Sequence, residues 1–107
     1  MIPQISATEL SERLGSAADA PYLLDVREPQ EFAYCRIDGA LSIPLGELPR
    51  RAHELPEGRE IVAICHHGIR SLQATSFLRL SLALDVINLQ GGVAAWARDV
   101  DPSMKRY

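Results

Sequence analysis

The sequence predicts an α/β fold: a mainly parallel central sheet with helices on both faces. Short apolar runs that read as buried strands recur at Tyr22–Val26, Leu41–Ile43, Ile61–Ile64 and Val86–Leu89. Helical stretches with recognisable caps stand between them, and such crossovers set successive strands parallel and right-handed. At 107 residues, 47% of them hydrophobic, the chain is expected to form one domain, 1–107, that buries roughly two thirds of its unfolded surface.

Taken in order, Ser6 can cap a first helix, Glu9 can reach back to it, and Ile5 with Leu10 fits a hydrophobic staple. That helix should reach about Leu14 and stop at Gly15. After the Tyr22–Val26 strand, Pro29 suits the first turn of a helix running to about Tyr34, with Gly39 in the following loop. Pro44 halts the third run, and Pro49 keeps any helix within Glu47–Leu55 short. Ile61–Ile64 is the most hydrophobic strand. A helix over Arg70–Leu82 would place Ala74, Phe77, Leu78 and Leu82 on one face, although no glycine stands at its end. Val93–Arg98 reads as the last helix, and Trp96 as core. The tail from Asp99 to Tyr107 carries no readable role.

The net charge of −3 offers no basic field for a polyanion, which argues against nucleic acid as a partner. Arg50 and Arg51 read as a solvated helix face. The first residues lack the basic and apolar regions of a signal peptide, and no apolar run approaches the ~20 residues that span a bilayer. A cytoplasmic protein is expected. Two cysteines there are more often free, catalytic or metal-bound than joined.

Open parallel sheets bind ligands at the carboxyl ends of their strands. Asp25–Arg27, Pro44–Leu45, Cys65–Ser71 and Gln90–Gly92 should therefore face the functional edge, with Asp25 and Arg27 fixing its loops. Cys35, before a strand, is expected at the opposite edge.

The stretch Cys65-His66-His67-Gly68-Ile69-Arg70-Ser71 joins the most hydrophobic strand to a helix. If it wraps around the thiol, its backbone N–H groups and the following helix terminus form an anion cradle that favours the nucleophilic thiolate. Gly68 frees the backbone for such a turn. Arg70 can pair with the thiolate or with an incoming oxyanion. His66 and His67 are expected to contribute backbone amides, with their rings at the mouth. Adjacent positions 65, 66 and 67 rarely converge on one metal ion, and the only other candidates are Cys35 and His53, so no metal is expected. The C-x-x-C spacing of a dithiol redox site is absent.

At these residues the chain resembles the single-domain members of the rhodanese family of sulfurtransferases. Leu23-Leu24-Asp25-Val26-Arg27-Glu28 is similar to the family's L-[IL]-D-V-R-E segment, and Glu31-Phe32 with Arg36-Ile37-Asp38-Gly39-Ala40 to its E-[FY]-x-x-G-H-I-P-G-A. The Cys65 loop resembles C-x-x-G-x-R-S, and Asn88-Leu89-Gln90-Gly91-Gly92 with Trp96 resembles N-L-x-G-G-x-x-x-W. Cys35-Arg36 and Asp38 depart from the pattern. The resemblance implies a rhodanese-like three-layer fold and a ping-pong mechanism in which Cys65 takes sulfane sulfur as a persulfide from thiosulfate or a persulfide donor. A thiol or cyanide then removes it, and no metal or organic cofactor is implied. His66, His67, Gly68, Ile69, Arg70 and Ser71 would bind substrate. A non-catalytic binding module and a carrier charged by a cysteine desulfurase are the competing readings. Related phosphatases use C-x5-R; the C-x4-R loop here makes a tighter ring, suited to one sulfur atom rather than a phosphate.

Overall fold

In the computed structural model, which describes residues 2–107, the strands are β1 (Gln4–Ile5), β2 (Tyr22–Asp25), β3 (Leu41–Ser42), β4 (Ile61–Ile64) and β5 (Val86–Leu89). They form one sheet in the order β1-β5-β4-β2-β3, and every pairing is parallel. The helices are α1 (Ala7–Leu14), α2 (Pro29–Tyr34), α3 (Leu48–Arg51), α4 (Ile69–Leu82) and α5 (Gly92–Asp99). β4 lies at the centre, with Ile61 level with Tyr22 on one side and with Val86 on the other.

Side-chain alternation divides β4 between two cores. Ile61 and Ala63, with Leu24, pack on Leu48, Ala74 and Leu78 of α3 and α4. Val62 and Ile64, with Leu23 and Leu89, pack on Leu10 of α1 and on Val93 and Trp96 of α5. Helices therefore cover both faces, as the α/β reading requires. Each fully buried leucine contributes about 1.5–3 kcal/mol by transfer alone.

The local signals hold in detail where they are strongest. Ser6 and Glu9 form the reciprocal capping box that starts α1, each bond 3.1 Å, and Gly15 ends it. Three differences have physical causes. β1 has no sequence signature, because two residues carry no periodicity; β5 defines it, through Asn88 donating to the Pro3 carbonyl and Gln90 to that of Ile5. The third strand stops at Ser42, although the Ile43 amide still reaches the Asp25 carbonyl. Leu82, expected on the buried face of α4, is exposed. The stripe that faces the sheet is Ser71, Ala74, Thr75 and Leu78, and Leu84, whose amide turns back to the Leu78 carbonyl, covers the core beyond it. Ala83 ends α4 in the left-handed region, with φ of 54°, where glycine is usual.

Among the described residues no helix is long and apolar enough to cross a membrane.

Candidate active site

Cys65 follows the last residue of β4 and is 1% exposed. Two groups meet its sulfur. The Gly68 N–H donates to Sγ at 3.1 Å, and the Ser71 hydroxyl, in the first turn of α4, lies 3.2 Å away. The Ser71 oxygen is also 2.5 Å from Asn88 Oδ1. Asn88 is oriented by its own amide group, which donates to Gln4 Oε1 at 3.0 Å and to the Gly68 carbonyl at 3.2 Å. A strand residue on β5 thus aims the serine, and the serine hydroxyl, with its single proton, can turn between the amide oxygen and the sulfur.

Close approach of backbones holds the loop in this shape. Gly68 has φ of 99°, and a Cβ there would sit 3.1 Å from the Gly91 nitrogen and 3.3 Å from the Leu89 oxygen. Gly92 also has positive φ, 58°, and its Cβ would fall 2.3 Å from the Cys65 oxygen. That closeness lets the first amides of α5 serve the loop: Val93 donates to the Cys65 carbonyl at 2.9 Å and Ala94 to that of His66 at 3.0 Å. The otherwise unpartnered N–H groups of a helix start and the loop carbonyls satisfy one another.

The cradle is narrower than the sequence implied. Among the described residues only the Gly68 amide reaches Sγ, and the amides of His66 and His67 do not. Arg70 is not on the sulfur. Its guanidinium makes a two-pronged bond to Glu31, at 2.7 and 2.9 Å, which holds the Glu31 carboxyl down at about 2. His66 is stacked between His67 and Tyr107, with ring centres 3.9 and 3.8 Å apart. Burial, with the neighbouring His67, lowers the His66 pKa. Ile69 is 71% exposed at the mouth.

Behind this layer Asp25 and Arg27 form a buried pair. Arg27 directs Nε and Nη2 to the Asp25 carboxylate, the latter at 2.8 Å. Burial opposes its charge, and the bonds to Asp25 and Tyr107 outweigh that opposition. Arg27 Nη1 donates to the Tyr107 hydroxyl at 2.8 Å, which in turn donates to Glu31 at 2.8 Å. Burial raises the Tyr107 phenol to about 12, so it remains a donor. The tail that carried no readable role therefore closes a chain of contacts from Asp25 to Arg70.

Cys35 is misplaced by the strand-edge argument. Arg27, just beyond the carboxyl end of β2, donates to the Cys35 carbonyl at 2.6 Å, and its Nη1 lies 3.8 Å from Cys35 Sγ. Cys35 caps the end of α2, whose six residues span only about 9 Å from the carboxyl end of β2, so preceding a strand in sequence did not put it at the far side. Both cysteines are free and buried. Among the described residues, no three histidine, cysteine or acidic side chains converge as metal ligands.

Sequence reasoning did not find Glu31, Asn88 or Tyr107 as site residues. Asn88 carried one usable signal, a polar side chain inside an apolar strand.

Comparison with known proteins agrees with this geometry. The rhodanese-like domain profile matches residues 6–99. A sulfurtransferase of Allochromatium vinosum is 40% identical over 98 residues, covering 92% of this chain and 91% of that protein. The crystal structure of a rhodanese-related protein from Thermoplasma volcanium superposes with a TM-score of 0.83 at 33% identity, over 92% of this chain and 93% of that one. An NAD-dependent persulfide reductase from A. fulgidus is similar over 89% of this chain, with a TM-score of 0.72 and 33% identity, but this chain spans only 16% of its length. With the profile spanning nearly the whole sheet and the Cys65 loop in the place described above, the chain belongs to the rhodanese-like domain family.

Proposed function

We propose that the protein is a sulfurtransferase in which Cys65 carries sulfane sulfur as a persulfide. The observation that carries this reading is the pair of donors on a single buried sulfur, the Gly68 amide at 3.1 Å and the Ser71 hydroxyl at 3.2 Å. Both stabilise an anion, and a persulfide formed there is an anion as well. The family's sulfurtransferase members and the structural likeness to a persulfide reductase support the same chemistry.

In the first half-reaction the Cys65 thiolate attacks the outer sulfur of thiosulfate. The Sγ–S bond forms, the sulfur–sulfur bond of thiosulfate breaks, and sulfite leaves with the electron pair. In the second, an acceptor thiolate or cyanide attacks the transferred sulfur and the electron pair returns to Sγ. Arg70, 35% exposed and shared with Glu31, is the cation available to the incoming dianion. The loop has four residues between Cys65 and Arg70 where the related phosphatases have five, so p-nitrophenyl phosphate should not be hydrolysed. We place this activity in the cytoplasm, where both thiols stay reduced.

Intact mass after incubation with thiosulfate tests the proposal. A gain of about 32 Da, one sulfur, in the wild type and none in Cys65→Ser is expected for a thiolate nucleophile. An unchanged wild-type mass with thiosulfate and with small-molecule persulfides refutes it.

A further inference from the structure

Asn88 is the only asparagine of the chain, and it stands 1% exposed inside the apolar strand β5. Its amide can adopt one orientation. Nδ2 spends both protons, on Gln4 Oε1 at 3.0 Å and on the Gly68 carbonyl at 3.2 Å. A backbone carbonyl accepts and cannot donate, so Nδ2 must face Gly68 and Oδ1 must face Ser71.

Oδ1 lies 2.5 Å from Ser71 Oγ, and the same Oγ lies 3.2 Å from Cys65 Sγ. Ser71 is wholly buried, and among the described residues its hydroxyl has these two partners and one proton to give them. Two oxygens at 2.5 Å need a proton between them. With Sγ uncharged, the hydroxyl therefore points at Asn88. An anionic Sγ is the stronger acceptor, but the hydroxyl reaches it only by leaving Oδ1, a buried acceptor, without a partner.

We infer that Asn88 is a positioning residue for sulfur transfer: it competes with Sγ for the single Ser71 proton and makes the serine a two-position switch that follows the charge on the sulfur. The inference rests on the sulfur-transfer reading and adds a residue to it. As a thiolate, Sγ draws the hydroxyl. Attack on thiosulfate forms the Sγ–S bond while sulfite departs with the electron pair of the bond that breaks. Sγ, now bonded twice, is uncharged, the charge sits on the outer sulfur, and Ser71 swings back to Asn88. On discharge the acceptor takes the outer sulfur, the electron pair returns to Sγ, and the hydroxyl turns to the departing thiolate. Asn88 thus keeps the serine satisfied while the sulfur is loaded.

Alkylation of Cys65 by iodoacetamide at pH 7 reads how fully the hydroxyl serves the thiolate. Asn88→Leu, similar in size and without an acceptor, frees the proton for Sγ, and the rate should rise about fivefold, the worth of one hydrogen bond of ~1 kcal/mol. In the Ser71→Ala background the same substitution should change nothing. An Asn88 that merely held the loop would act with or without the serine. An acceleration that persists in Ser71→Ala therefore overturns the inference, as does an unchanged or slower rate in Asn88→Leu.

A second measurement leaves Asn88 in place. Asparagine labelled with 13C at Cγ gives one signal in this chain. In the Cys35→Ser protein, whose one thiol is Cys65, the signal is compared with and without a methyl methanethiosulfonate cap at about pH 10, where even a free thiol of pKa ~8.5 is ionised. The uncapped thiolate should shift it upfield of the capped form, because Oδ1 has lost its donor, and Ser71→Ala should abolish the difference. Equal shifts in the two forms overturn the inference. The cap carries no sulfane sulfur, so a signal that moves in a protein that gains no mass from thiosulfate supports the switch and refutes the sulfur-transfer reading alone.

Discussion

Glu31 grips Arg70 with both carboxylate oxygens, at 2.7 and 2.9 Å, across 39 residues of sequence. The arginine of the active-site loop is thereby held at the mouth rather than on the sulfur. An incoming anion meets a guanidinium already oriented by its partner, which spares the ordering of a long side chain at the moment of binding.

This pair sets a pH dependence. The Arg70 bonds, opposed by burial and helped by the Glu28 amide, hold Glu31 at about 2 against an ordinary 4.5. Because the folded value is depressed, the stabilisation is complete above pH 4.5 and is lost as pH falls through about 2. Glu31→Gln should cost about 1–2 kcal/mol at pH 7, a figure reduced for solvent screening at the partly exposed arginine. Urea unfolding from pH 7 to 2.5 should show the gap to wild type closing on the acid side; a constant gap would refute the assignment.

Ser71→Ala removes one of the two groups that meet the Cys65 sulfur. It also strips Asn88 Oδ1 of a partner 2.5 Å away, leaving a buried acceptor at a cost of about 1–3 kcal/mol. Thermal unfolding should register that loss, and iodoacetamide should alkylate Cys65 about fivefold more slowly at pH 7, the worth of ~1 kcal/mol. Unchanged alkylation would mean that the hydroxyl does not support the thiolate.

At Gly92 a methyl group would collide with the Cys65 and His66 carbonyls, at 2.3 and 2.5 Å. Gly92→Ala should therefore push α5 off the loop, with more than about 2 kcal/mol of destabilisation and loss of persulfide formation. Gly46→Ala, where nothing lies within 4 Å of the added carbon, is the control and should retain both stability and activity.

Ala83 adopts φ of 54° at the end of α4, a conformation that disfavours any side chain. Ala83→Gly should raise stability by about 0.5–1 kcal/mol and increase Tm without altering sulfur transfer. A lower Tm would show that the strain is smaller than the entropy glycine adds to the unfolded chain.

Cys35→Ser should leave persulfide formation on Cys65 intact, even though Cys35 shares the buried surroundings of Arg27. Its sulfur meets only a guanidinium at 3.8 Å and has neither a loop amide nor a hydroxyl aimed at it. Intact mass after thiosulfate treatment decides: a Cys35→Ser variant that gains no sulfur would make both thiols part of the reaction.

Local chemistry determined much of this protein from the sequence alone. Ser6 and Glu9 begin a helix because they satisfy each other's amides. Ile61–Ile64 is a strand because four consecutive apolar side chains can be buried only between two layers. The Cys65 loop is readable because thiol, glycine, arginine and serine stand close together in the chain. Tertiary structure alone decided who meets whom. Two residues at Gln4–Ile5 become a strand only because β5 offers them partners. Cys35 lies by Arg27 because the short α2 keeps it near the carboxyl end of β2, and Glu31 finds Arg70 and Tyr107 only when distant segments converge on one edge. Caps and apolar runs act over three or four residues. A salt bridge spanning 39 residues exists only once both cores have closed around the sheet.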